Sequence, residues 1–210
     1  KHLGSKDDNV ILGPSKGEDA AIVKLDKNLL IISCDPVSGA VRKAGWVSVH
    51  ISCNDVATRG VKPRWFLNSI MLPEKTDKKT IREIASQMDK AAKSLDVSII
   101  GGHCEFTPNL INPLIVGFSV GTTKSRNYVT SSGAKPRDKI VLTKSIGIEG
   151  TAILASDRYK ELAQKLGRQL VDNAVRYINR ISVVDDALTV AKCGHIHSMH
   201  DPTEGGLAGG

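Results

Sequence analysis

Short apolar blocks separated by Gly, Pro, Asn and Asp predict a first part of the chain with more strands than helices. Residues 20–24 and 29–34 are β-rich segments flanking the polar turn Leu25-Asp26-Lys27-Asn28, which predicts a hairpin stopped by Asp35-Pro36. Between residues 42 and 59, Ala44, Val47, Val49, Ile51, Val56 and Ala57 predict a largely buried helix that Gly60 terminates. An apolar strand follows at 65–72 and ends at Pro73. Ile81, Ile84, Ala85, Met88, Ala91, Ala92 and Leu95 then fall at helical spacing over 80–95, with Asp77 or Thr80 as cap. Strands at 97–100 and 114–120 complete a mixed α+β domain. The Ser-, Thr-, Gly- and Lys-rich residues 122–137 predict a linker, dividing the chain into units at 1–130 and 131–210. Beyond it a strand is expected at 139–143, helices at 148–155, 161–179 and 184–191, and a short strand at 196–199.

Several carboxylates break this pattern. Glu18 and Asp19 follow Gly17 directly before the apolar run Ala20-Ala21-Ile22-Val23, and Asp35 closes the hairpin's second strand. Asn54 and Asp55 sit inside the buried helix, Glu105 follows Gly101-Gly102-His103-Cys104, and Asp201 precedes Pro202-Thr203-Glu204-Gly205-Gly206. A buried unpaired carboxylate costs several kcal/mol, so each needs a partner or a turn that leaves it in water. If several converged, each pair about 4 Å apart would repel by roughly 4 kcal/mol at an effective dielectric near 20. Hard divalent metal relieves that repulsion, and Mg²⁺ is commonly shared between carboxylates and phosphates. The paired glycines at 101–102 and 205–206 give phosphate oxygens backbone to approach. Nucleotide plus Mg²⁺ explains both features together.

The 210 residues are 40% hydrophobic and 24% charged, an ordinary composition for a globular chain. No apolar run reaches the roughly 20 residues of a membrane helix and no secretory leader pattern opens the chain, so a cytoplasmic protein without membrane attachment is expected. The net charge of +7 comes with only 4% aromatics and no groove-reading motif, so no nucleic-acid partner is expected. Cys34, Cys53, Cys104 and Cys193 form no Cys-x-x-Cys pair and read as reduced thiols. Cys193, His195, His197 and His200 cluster in sequence and invite a metal reading, but they lack tight zinc spacing, and His195 and His197 alternate with Ile196 and Ser198 as the outer face of a strand would. His103 reads as a general base, a phosphate contact or a hydrogen-bonded loop residue, and Lys16 as a phosphate contact or a solvated side chain. The glycine-rich close at 205–210 suggests a fragment or elements supplied by another chain.

In order, Gly17-Glu18-Asp19-Ala20-Ala21, Asp35-Pro36, Asn54-Asp55-Val56-Ala57-Thr58-Arg59-Gly60, Gly101-Gly102-His103-Cys104-Glu105 and Asp201-Pro202-Thr203-Glu204-Gly205-Gly206-Leu207 resemble the PurM-like superfamily. His200 through Leu207 and Pro63-Arg64-Trp65-Phe66 are most similar to the hydrogenase-maturation HypE proteins and their archaeal AIR-synthase-related relatives. The resemblance implies a mixed-sheet, ATP-binding N-terminal domain that joins its copy in a homodimer, followed by an α/β C-terminal domain, here apparently incomplete. It implies Mg²⁺ on Asp19, Asp35, Asp55 and Asp201. Lys16, Asn54, Gly101, Gly102, Thr203, Gly205 and Gly206 are then the candidate nucleotide and phosphate surroundings, with His103 and Glu105 as candidate catalytic residues.

The implied reaction phosphorylates a substrate oxygen so that it can leave, which in HypE proteins dehydrates a carbamoyl thioester to the thiocyanate that supplies a hydrogenase cyanide ligand. Hydrogenase-maturation proteins are the implied partners. The alternatives are another family enzyme with a small-molecule acceptor and a non-catalytic dimeric scaffold. Three features depart from the family pattern: Glu18 replaces an Asp, Cys104 replaces a hydroxyl residue, and Cys193, the last cysteine, precedes a motif and does not form a cysteine tail.

Overall fold

The structure, a computed structural model, describes residues 3–124, 128–203 and 205–210. Residues 125–127 of the expected linker and Glu204 of the last glycine motif lie outside the described residues. Six strands form one mixed sheet in the order β1-β2-β3-β6-β4-β5. They are β1 Val10–Leu12, β2 Ala21–Leu25, β3 Asn28–Val37, β4 Pro63–Pro73, β5 Ser98–Thr107 and β6 Leu114–Thr123. The two long helices of this half are α1 Ala44–Thr58 and α2 Lys78–Ser94. Only β4 and β5 run parallel, joined by α2 as their crossover.

Helix α1 is the core of the molecule. It packs on β3 and β6 on one side and on α2 and a later helix on the other, so fourteen of its fifteen residues are buried. That explains why its sequence is apolar nearly all round. The close approach needs notches in β6. A Cβ on Gly117 would come within 2.4 Å of Ser52 Oγ, and one on Gly121 within 2.7 Å of Val56 Cγ1. Helix α2 is amphipathic, burying Ile84, Met88, Ala91 and Ala92, and Asp77 caps it by accepting from the Thr80 N–H at 2.7 Å.

Two strands run further than expected. Strand β3 continues through Asp35-Pro36 to Val37. It can do so because β2 pairs with it only at residues 28–32, so the missing N–H of Pro36 falls where one edge is open. Strand β5 continues through Gly101-Gly102-His103-Cys104-Glu105, which reads as a loop in sequence. Gly102 lies so close to β4 that a Cβ there would meet the Asn68 carbonyl oxygen at 2.6 Å.

The second part of the described chain is helical: α3 Ile148–Asp157, α4 Tyr159–Leu166, α5 Arg168–Arg176, α6 Val184–Lys192 and the short α7 Gly206–Gly209. The helix expected over 161–179 is broken at Gly167, whose φ of +85° lies in the left-handed region, and ends in a 3-10 turn over Tyr177–Arg180. The strands expected at 139–143 and 196–199 are absent, since no described strand lies alongside to take their backbone hydrogen bonds. Ile140 and Val141 are accordingly 90% and 81% exposed. Among the described residues no helix is long and apolar enough to cross a membrane.

Candidate functional site

The last turn of α1, the turn before β2 and the second half of β3 meet where residues 198–201 return to the sheet. Asp55, Thr58 and Arg59 stand at i, i+3 and i+4 and therefore share one helix face. Arg59 is completely buried. Its Nη1 donates to Glu18 at 2.7 Å, and its Nη2 donates to Asp19 Oδ2 at 2.5 Å and to Ser131 Oγ at 2.8 Å. A guanidinium's fixed fork suits such a double engagement.

The two adjacent acids thus have different tasks. Glu18 turns away from the other carboxylates and accepts the backbone N–H groups of Ser131 and Ser132, each at 3.0 Å. Burial raises its carboxyl, but the bonds from Ser132 and Ser131 and the Arg59 charge outweigh that and hold it below the usual range. Asp19 faces the other way. Its Oδ1 lies 2.8 Å from His200 Nδ1, while Oδ2 is held by Arg59. The segment carrying His200 and Asp201 is pinned by Ser198, whose hydroxyl donates to the Ser131 carbonyl at 2.8 Å.

Opposite Asp19 sit Asp35, Asp55 and Asp201. The Ser33 hydroxyl reaches Asp35 at 2.9 Å and also Asp55. A hydroxyl has one proton for two carboxyls, so a proton on Asp55 completes the arrangement. Burial above all, then hydrogen bonding to Asp35 and the charges of Asp201 and Asp35, pushes Asp55 far above the carboxylate range. Asp201 is pushed up to about 8, chiefly by burial and next by Asp19. Both of its oxygens are buried and accept no hydrogen bond from an ordinary donor among the described residues. Four carboxyls have therefore been brought together, and burial with mutual repulsion holds those of Asp55 and Asp201 above the usual carboxylate range. An oxygen-rich donor set of this kind fits a hard divalent cation.

The remaining candidates lie elsewhere. Asp35, Gly117, Asn68 and Gly102 form one row across β3, β6, β4 and β5, so Gly102 is three strand spacings, about 14 Å, from Asp35. His103 and Glu105, 3.3 Å apart, pair with Ser69 and Met71 and so point to the sheet face opposite α1. Asn54 is buried with its amide engaged: it donates to the Ile181 carbonyl at 3.0 Å and accepts the Val183 N–H at 2.8 Å. It clamps α1 to the chain entering α6. Lys16 and Gly101 are exposed, as is Thr203, whose hydroxyl donates to the Asp201 carbonyl at 3.2 Å. Gly205 and Gly206 take φ of +74° and +56° at the start of α7. Arg59, Ser33 and Ser131 were not among the sequence candidates, His200 was weighed only within the Cys193 to His200 cluster and set aside there, and His195 and His197 lie on no strand.

The raised carboxyls make stability fall with pH. Above the ordinary carboxylate range the folded chain keeps protons that the unfolded chain has released, which costs stability as pH rises. His50 has the opposite sign, because burial first and then Lys144 lower it to about 4, so it adds stability only up to the ordinary histidine range. From pH about 7 to about 9 the carboxyls dominate. In EDTA the melting temperature is expected to drop over that span, and Mg²⁺ is expected to flatten the drop; a flat or rising profile in EDTA would contradict the cluster.

Sequence comparison places the chain in a family. Residues 17–123 match the AIR synthase related protein N-terminal domain, and residues 135–210 match the corresponding C-terminal domain. The chain belongs to the AIR synthase-related, PurM-like proteins. It is 30% identical over 158 residues to a thiamine-monophosphate kinase of Pyrococcus horikoshii, covering 71% of this chain and 50% of that protein. It is 29% identical over 166 residues to the carbamoyl dehydratase HypE of Cupriavidus necator, covering 78% and 45%. A solved structure of the hydrogenase maturation protein HypE in complex with ATP superimposes with a TM-score of 0.57 at 24% identity, covering 62% of this chain and 41% of that one. The chain spans about half the length of the curated relatives it matches.

Proposed function

We propose that this chain carries the nucleotide site of an ATP- and Mg²⁺-dependent enzyme that phosphorylates a substrate oxygen and so turns it into a leaving group. The observation that carries this reading is the convergence of Asp19, Asp35, Asp55 and Asp201 around buried oxygens that lack donors. These four residues would hold the cation. Bound there, Mg²⁺ would offset phosphate charge and orient the transferred phosphoryl group. For the cation to enter, Asp55 and Asp201 must release their protons, and Arg59 keeps Asp19 Oδ2 from rotating into the site. Lys16, on the exposed turn before the acids, would meet a phosphate in this reading.

Within the family, the reading nearest the sequence motifs is HypE-like: phosphorylation of a carbamoyl thioester oxygen and loss of phosphate to leave a thiocyanate, with hydrogenase-maturation proteins as partners. The 30% identity to a thiamine-monophosphate kinase favours a second acceptor class, a small soluble molecule. Both readings fit a homodimer. The sheet face away from α1 presents Ile32, Leu67, Val116, Phe118 and Val120, and a second copy laid on it would cover them and enclose His103 and Glu105. The test is a calorimetric titration of ATP into the chain in Mg²⁺ and in EDTA. The expected result is at least about tenfold tighter binding with Mg²⁺, and equal affinity in EDTA would contradict the reading.

A further inference from the structure

We infer that His200 is a nitrogen ligand of the cation site and biases it toward Mn²⁺ and similar first-row ions over Mg²⁺. The inference rests on the proposed cation role of Asp19 and Asp201. Arg59 occupies Asp19 Oδ2, so the oxygen left for an ion is Oδ1, and His200 Nδ1 lies 2.8 Å from that atom. Two ligand atoms bound at about 2.1 Å and at right angles lie about 3.0 Å apart, so this pair already has the separation of neighbouring ligands on one ion. The donor atoms of Asp19, His200 and Asp201 all lie within 4.8 Å of one another. Asp201 supplies the independent sign that something belongs there, since both its oxygens are buried within that group and no N–H or hydroxyl of another described residue donates to them, the Asp55 carboxyl being their one neighbouring hydrogen-bonding group.

The ring is also held in place. Its Cδ2 edge lies against Gly210, where a Cβ would come within 2.9 Å, and Asp19 holds its Nδ1 edge. Mg²⁺ seeks oxygen and keeps its waters, whereas first-row transition ions accept imidazole, Mn²⁺ the least strongly of them and the later ions increasingly so. One nitrogen among carboxylates therefore shifts preference without excluding Mg²⁺. A histidine that only hydrogen-bonds Asp19 would leave that preference unchanged.

The test uses Mn²⁺ alone, without nucleotide, and pulsed electron paramagnetic resonance of the full chain. The expected result is a nitrogen coupling on bound Mn²⁺ that disappears in His200→Gln, with Mn²⁺ affinity falling about tenfold and Mg²⁺ affinity changing less than about threefold. Residue 200 is partly exposed, so the substitution leaves the fold intact, which a melting curve checks. Bound Mn²⁺ without nitrogen coupling in the unmodified chain, coupling that survives in His200→Gln, or an unchanged Mn²⁺ to Mg²⁺ ratio would overturn the inference while leaving the carboxylate site standing. Failure of the unmodified chain to bind Mn²⁺ or Mg²⁺ at all would overturn the cation reading with it.

Discussion

Replacing Arg59 with methionine is expected to destabilise the folded chain by about 3–5 kcal/mol when no divalent cation is present. The side chains of Arg59, Glu18 and Asp19 are 0%, 3% and 10% exposed, so the guanidinium is the counter-charge of two carboxylates largely withdrawn from water. Methionine roughly fills the volume but leaves both carboxylates unpaired, and removing one partner of a buried ion pair costs far more than an exposed pair contributes. Ser131 would lose a donor as well, loosening the segment that Glu18 ties to the sheet. Urea unfolding in EDTA measures the loss. A change below about 1 kcal/mol would show that water or protonation replaces the guanidinium cheaply, and the network would not hold the site together.

The carboxylate convergence was partly legible before the structure because Asp19, Asp35, Asp55, Glu105 and Asp201 share one local context, an apolar element beside Gly or Pro, although Glu105 lies on the opposite sheet face and does not join the other four. Context of that kind survives in one dimension. Helices α1 and α2 were legible for the same reason, their apolar spacing matching the faces they bury. Arg59 was not, since a charge just before Gly60 reads as a solvated helix end. The available signal was its i+4 spacing from Asp55, which puts both on the face that meets Asp19. His200 was missed because its neighbours alternate like a strand, yet the segment is fixed by the Ser198 and Ser131 bonds to the linker, a contact across 67 residues that no local pattern encodes. Glycines misled in both directions: Gly101-Gly102 reads as a loop but lies in β5, while Gly167 ends a helix whose apolar spacing continues. Cross-strand register decided the rest, setting His103 and Glu105 on the face opposite Asp35.

The neighbours Glu18 and Asp19 give the sharpest contrast, because the same charge at adjacent positions does different work. Asp19→Asn removes charge at the oxygen that faces His200 and Asp201, and Mg-ATP affinity is expected to fall at least about thirtyfold, roughly 2 kcal/mol. Glu18→Gln keeps one of the two oxygens that accept the Ser131 and Ser132 N–H groups and lies outside the carboxylate cluster, so Mg-ATP affinity is expected to stay within about threefold while the melting temperature drops. Calorimetric titration of Mg-ATP into the two variants and the unmodified chain decides the matter. Asp19→Asn is expected to lose most of the metal-dependent affinity and Glu18→Gln to keep it; the reverse order, or equal losses, would contradict the division of roles on which the site is built.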